Sequence, residues 1–387
     1  MTDYLKEANE IQQNLIGWRR DFHQHPELRF EETRTAGIAA SYLTSLGIQT
    51  QTAVGKTGVV GLIQGEKPGP TALLRFDMDA LPIQEETGVS YQSKNPGVMH
   101  ACGHDAHTAI GMGVAKILSE HRDELAGNVK LAFQPAEEGT GGALAMIEDG
   151  VLENPQVDLT FGLHIQSQTP SGTLLIGDGP ILAAADAFKI RVKGKGGHGA
   201  LPHETVDAVV IASQIVNLLQ TIVSRNVNQM ETVILSIGSL QAGCAFNIIA
   251  ETAEMLGTVR TYDAQTQKLV HHRMTGIIEN TAKALGGSAE LEIRTIVPAA
   301  VNDPAISAKV RELAVEMIGA ERISTNQRDT PSDDIAEFLL AAPGCHFILG
   351  AGGPEYPPHH NPRFAFDESA LPLGVALLCA SVAHFLK

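Results

Sequence analysis

Segments with a helical period and segments with a strand period alternate through the first half of this 387-residue chain. That alternation is what most limits how it can fold. "YLKEANEIQQNLIGWRRDFHQ" carries apolar residues at helical spacing, and "RTAGIAASYLTSLG" reads as a second helix ending at Gly47. "GVVGLIQG" and "TALLRFDMDALP" read as buried strands and "HTAIGMGVAKILSEHRDEL" as a helix. "GNVKLAFQPAEEG" is a strand running into an acidic turn, "GGALAMIEDGVL" a helix and "LTFGLHI" a short strand. The pattern predicts an α/β fold: a mixed, mostly parallel sheet flanked by helices. In such sheets functional groups gather beyond the carboxyl ends of the strands. "DMD" (77–79), "PAEEG" (135–139) and "LHI" (163–165) each fall at or near such an end.

From about residue 181 the order becomes strand, helix, two strands, helix, strand, ending with "AELEIRTIV". This β-α-β-β-α-β unit is a recurrent α+β motif, long enough to fold as its own domain. After it the first pattern returns. The expected organisation is therefore a discontinuous catalytic domain, 1–180 and 296–387, with residues 181–295 inserted.

The chain carries 28 basic and 44 acidic side chains, a net charge of −16. Such a surface repels polyanions and argues against nucleic acid as a partner, though a local positive site can still take an anionic substrate. The charged N-terminus does not read as a signal peptide. No uninterrupted apolar run approaches the roughly 20 residues of a membrane span. Four scattered cysteines do not look like a disulfide framework. A cytoplasmic protein without a membrane partner is the expectation.

Cys102 and His104 stand two apart, and on an extended segment their side chains would point the same way. Both suit Zn, Mn, Co or Ni. Taken alone, the pair reads as well as a buried small hydrophobe and a loop histidine. Glu137 and Glu138 point in different directions, so one can coordinate a metal while the other moves a proton. His164 ends a strand pattern, and His359 and His360 sit in the Pro-rich "PPHHNPRF". Together Cys, His, Glu, His and His offer five ligand groups. Two metals sharing a ligand fit that number better than one structural zinc, which wants four. A two-metal site supplies a bridging hydroxide as nucleophile and a Lewis acid for a scissile carbonyl.

The chain resembles the amidohydrolase branch of the M20 metallopeptidase family. The resemblance runs nearly end to end through "RRDFHQHPEL", "RFDMDALPIQEE", "MHACGHDAHTA", "FQPAEEGTGGA", "GLH", "GKGGHGALPH", "GTVRT" and "HHNPRFAFDE". It implies two divalent ions (Zn, Mn, Co or Ni), with Cys102 bridging and His104, Glu138, His164 and His360 completing the shells. It implies Glu137 as general base and Asp79 as support for His104 or Glu137. His198, in the insert, would reach across a homodimer interface to stabilise an oxyanion. Asn247 and Arg260 would hold a substrate carboxylate. The implied activity is hydrolysis of N-acyl amino acids. N-acetyl-diaminopimelate deacetylase and dipeptidase or carboxypeptidase chemistry are the enzymatic alternatives, and an inactive metal- or ligand-binding protein the non-enzymatic one. Two departures stand out: Asp333, in "PSDDIAEF", where the family usually has Glu, and "NIIAE", which lacks a common proline.

Overall fold

A computed structural model of the chain describes residues 2–139, 141–325 and 328–387. The chain divides into two compact units: Met1–Gly179 with Val301–Arg328 and Asp333–Lys387, and Pro180–Ala300 with Asp329–Ser332.

The first unit is built on an eight-stranded sheet. Its spatial order is Gln49–Val54, Gly58–Gln64, Ala126–Gln134, Lys67–Asp77, Leu159–Pro170, Gly344–Gly352, Leu174–Leu175 and Ile323–Ser324. The four middle strands from Ala126–Gln134 to Gly344–Gly352 are mutually parallel. Being covered on both faces, they are apolar almost throughout, as "TALLRF" is. The strand Gln49–Val54 has no counterpart in the sequence reading. It is an antiparallel edge strand, mostly exposed, so "QTQTAV" carries no core-facing signal.

Alternation along Lys67–Asp77 sends Leu74 and Phe76 into the main core cluster, which the helices Gln12–Gln24, His104–Glu120 and Leu371–Phe385 share. The same alternation sends Arg75 to the opposite face, where it meets Asp333 and Asp334 at the start of the helix Ile335–Ala341. The single N-terminal helix expected from the sequence is two, Tyr4–Glu10 and Gln12–Gln24, interrupted at Ile11. Two helical stretches, 208–226 and 368–385, are long and apolar enough to cross a membrane by length and composition, although neither is an uninterrupted apolar run. The second belongs to the core of the first unit and the first contributes to the core of the second unit.

In the second unit the strands Val233–Ala242, Thr252–Thr261, Ala184–Lys193 and Ser288–Val297 form an antiparallel sheet in that order. The helices Ala208–Thr221 and Ala264–Ala284 pack on it around Ile190, Ile215, Met255 and Met274. A two-residue ladder joins Gly197–His198 to Ile248–Ile249.

Candidate metal centre

Parallel register sets the site. Asp77 pairs with Gln134, and Arg75 with both Ala132 and Gly162, so the segments leaving these strands emerge along one sheet edge. His164 is not at a strand end as expected: it lies within Leu159–Pro170, whose pairing with Lys67–Asp77 stops at Gly162 while that with Gly344–Gly352 continues. Nor is Cys102–His104 extended. Gly103 has φ +98°, and a Cβ there would lie 2.4 Å from Ile165 Cδ1, so the backbone passes close and turns sharply. His104 thereby opens the helix His104–Glu120.

Three groups of donor atoms converge, each within 4.8 Å: Cys102, His104 and His164; Cys102, Glu138 and His360; and His104, Glu137 and Glu138. Cys102 belongs to the first two, and its Sγ is 3.4 Å from His164 Nε2. His164 Nδ1 lies 2.6 Å from the Ile165 carbonyl, and His104 Nδ1 2.9 Å from the Asp79 carbonyl. A proton donated there leaves each Nε2 lone pair aimed inward, as a metal ligand requires. Asp79 ties the cluster together. Its carboxylate accepts from the Glu137 amide at 3.0 Å and the Glu138 amide at 3.1 Å, and lies 3.2 Å from His104 Nδ1. His360 has φ +60° and places Nε2 3.2 Å from Glu138 Oε1. The neighbouring His359 faces inward instead, Nδ1 3.2 Å from the Cys102 carbonyl.

The donor set fits divalent cations. Among the described residues His104 Nε2 is buried without a hydrogen-bond partner, a costly state unless something else binds it. Burial opposes charge on His104, yet Asp77 and Cys102 outweigh it and raise its pKa. Burial pushes the Cys102 thiol well up. Burial, then Asp333 and Glu138, push Glu137 well up. Burial, then His107 and His359, push His164 well down. Burial opposes charge on Glu138 too, but the His360 hydrogen bond and His104 hold it low. Dications would ionise the thiol and offset the carboxylate repulsion.

A second cluster adjoins the first. The Arg75 Nε donates to Gln134 at 2.7 Å, and its two amino groups reach Asp77, Asp333 and Asp334 at 2.5–3.3 Å, using all five donors. Asp77 also lies 2.5 Å from His107 Nδ1, while His107 Nε2 accepts from the Ile165 amide at 3.0 Å. With both ring nitrogens engaged, His107 has no lone pair for a metal, although it stands beside Asp77 and His104. Arg75, Asp77 and Asp334 were not singled out in the sequence. The signal for Arg75 and Asp77 was two charges inside an apolar strand, which burial allows only when paired. Asp333, the departure from the family pattern, ends on Arg75 and caps the Ile335 amide at 2.8 Å.

The other predicted residues lie on the second unit. His198 is exposed in the two-residue ladder, its Nδ1 accepting from the Ala200 amide at 3.1 Å. Asn247 is its neighbour: the Gly199 amide donates to the Asn247 carbonyl at 2.8 Å. Arg260 lies in the strand Thr252–Thr261 and donates to Thr258 Oγ1. In "NIIAE", buried Ala250 accepts from the Ala208 amide at 3.3 Å.

A family model described as peptidase family M20/M25/M40 matches residues 73–384. The chain is 41% identical over 361 residues to the N-acetyl-L-cysteine deacetylase of Bacillus subtilis, spanning 93% of this chain and 85% of that protein. It is 40% identical over 378 residues to thermostable carboxypeptidase 1 of Saccharolobus solfataricus, spanning 95% and 94%. A crystal structure of a dinuclear metal-binding M20 peptidase from Bacillus subtilis superposes with a TM-score of 0.87 at 34% identity, covering 98% of this chain and 99% of that one.

Proposed function

The chain belongs to peptidase family M20/M25/M40 and is a hydrolase of that family, and on that premise we propose that it is a dinuclear metal-dependent amidohydrolase of N-acyl amino acids. The observation that carries this reading is that two donor groups share Cys102 while Glu137 stands beside them. Cys102 would be the ligand common to two ions, with His104 and His164 available to hold one and Glu138 and His360 the other. Two divalent ions held there would polarise the amide carbonyl and make water acidic enough to attack near neutral pH. Glu137 takes the proton of the attacking water and passes it to the leaving nitrogen, a role suited to a carboxyl whose pKa its neighbours can tune. Asp79 fixes the base and His104 together. His198 stabilises the oxyanion from a partner subunit of a homodimer, and Asn247 and Arg260 hold the substrate carboxylate. The inserted unit, read from the sequence as 181–295, serves as lid and dimerisation face.

The relative named as a carboxypeptidase favours a second reading, cleavage of a C-terminal peptide bond. One experiment separates the two. The protein is loaded with Zn, Mn, Co or Ni and tested on acetyl, benzoyl and indole-acetyl amino acids, on N-acetyl-diaminopimelate and on dipeptides. Turnover of acyl amino acids over dipeptides, lost in Glu137→Gln with metal content intact, is the expected result. Preference for dipeptides would favour the second reading, and normal activity of Glu137→Gln would remove Glu137 as base.

A further inference from the structure

Glu32 is fully buried in the first unit and 105 positions before Glu137, yet it is bound to the turn that carries the two site glutamates. Its Oε1 accepts from the Phe30 and Ala136 amides, both at 2.9 Å, and its Oε2 from Thr57 Oγ1 at 2.5 Å. Glu32 stands at the N-cap of the helix Thr33–Ser45, but among the described residues its side chain makes no capping hydrogen bond. Glu27 does that work, accepting from the Arg34 and Thr35 amides, both at 2.8 Å. The Glu32 carboxylate is therefore committed to the turn rather than to its own helix.

The turn needs such a hold. Ala136 has φ +51°, in the left-handed region that a side chain disfavours. Asp79 fixes the amides of Glu137 and Glu138, and the Gly142 amide donates to the Ala136 carbonyl at 3.2 Å, all of them on the side of the turn that follows the Ala136 Cα. Glu32 fixes the amide before it. Arg29 Nη1 donates to the Glu138 carbonyl at 2.9 Å at the far end. One segment, Arg29 to Glu32, thus grips the turn on both sides of the glutamate pair.

We propose that Glu32 is a positioning residue for the reaction: it locks the strained Ala136 peptide so that Glu137 is delivered into the site in a fixed relation to Glu138, whose own amide and carbonyl Asp79 and Arg29 continue to hold. The proposal rests on Glu137 being the base. A glutamine at 32 can reproduce the contacts, its carbonyl taking both amides and its amino group donating to Thr57. An alanine cannot.

The test compares Glu32→Ala and Glu32→Gln as metal-loaded enzymes. Hydrogen exchange at the Ala136, Glu137 and Glu138 amides is followed as a readout independent of activity. The alanine variant is expected to keep its metal content and KM, exchange faster at these amides, and lose kcat by about 10- to 100-fold, as misplacement of a catalytic group does. The glutamine variant restores both readouts. Unchanged exchange in the alanine variant overturns the proposal, as does retained kcat, a loss of kcat matched by loss of metal, or an equal loss in both variants. Glu137→Gln, run alongside, separates the cases: if it stays active, the general-base reading fails rather than the hold on the turn.

Discussion

Two polar clusters lie side by side in the first unit, and they meet the cost of burial in different ways. Around Arg75, each N–H of the guanidinium is spent on Gln134, Asp77, Asp333 or Asp334. Around Cys102, donor atoms converge, and His104 Nε2 has no hydrogen-bond partner among the described residues. The first cluster is complete within the chain. The second would be completed by the cations proposed for it. Asp77 touches both, lying 2.5 Å from Arg75 and 3.6 Å from His104 Nε2. The self-contained cluster can therefore serve as the rigid floor on which the open one is held, which is how a ligand set stays convergent before a cation arrives.

The largest effect that would break this contrast is in stability. Arg75→Met leaves three buried carboxylates without their cation and should cost about 3–5 kcal/mol, read from the denaturant midpoint. Glu137→Gln in metal-free protein replaces a carboxyl whose ionisation burial, Asp333 and Glu138 already oppose with a neutral amide, and should leave the midpoint nearly unchanged. Equal losses in both variants would mean that the two clusters do not differ in kind. Next in size, adding Mn or Zn to dialysed protein should raise Tm, by an amount equivalent to about 2.7 kcal/mol per site at a hundredfold excess over Kd. An unchanged Tm would contradict an open cluster that closes on a cation.

How far the site was legible in the sequence follows the same division. Cysteine and histidine are sparse in this chain, so Cys102, His104 and His164 could be proposed as ligands by type and by place along the strand order, whereas only the family resemblance chose Glu138 over Glu137 and His360 over His359. Their geometry was less legible: Gly103 replaces the extended segment with a left-handed turn, and His164 sits within a strand rather than at its end. Arg75 and Asp77 lie in "RFDMDALPIQEE", but their partners do not show there, because which carboxylate reaches a buried arginine from 258 residues away is decided by packing. Glu32 was not singled out in the sequence for the same reason: the amide it holds lies 104 residues further along the chain. In the fold, buried central strands and long helices showed through, whereas the exposed edge strand and the break at Ile11 did not.

The smallest effect tests whether a closed network behaves alike in the second unit. Asp186 is buried there, accepting from His271 at 2.8 Å, Thr295 at 2.6 Å and Gln267 at 2.9 Å. Burial would raise its pKa, but these hydrogen bonds hold it below the ordinary range. A depressed carboxylate adds stability above its unfolded pKa of about 3.9 and loses it as pH falls through the folded value. Asp186→Asn should cost about 1–3 kcal/mol at pH 7. The difference from wild type should shrink as pH falls below about 4. A difference independent of pH would remove the ionised carboxylate from the account.

The claim on which the rest turns is that Cys102 serves both halves of the open cluster. Elemental analysis of the dialysed protein measures this directly, with wild type and Cys102→Ala prepared side by side in the same metal. A shared thiolate predicts two ions per chain in the wild type and a loss from both positions in the variant, leaving well under one. A single ion in the wild type, or two retained in the variant, would contradict it.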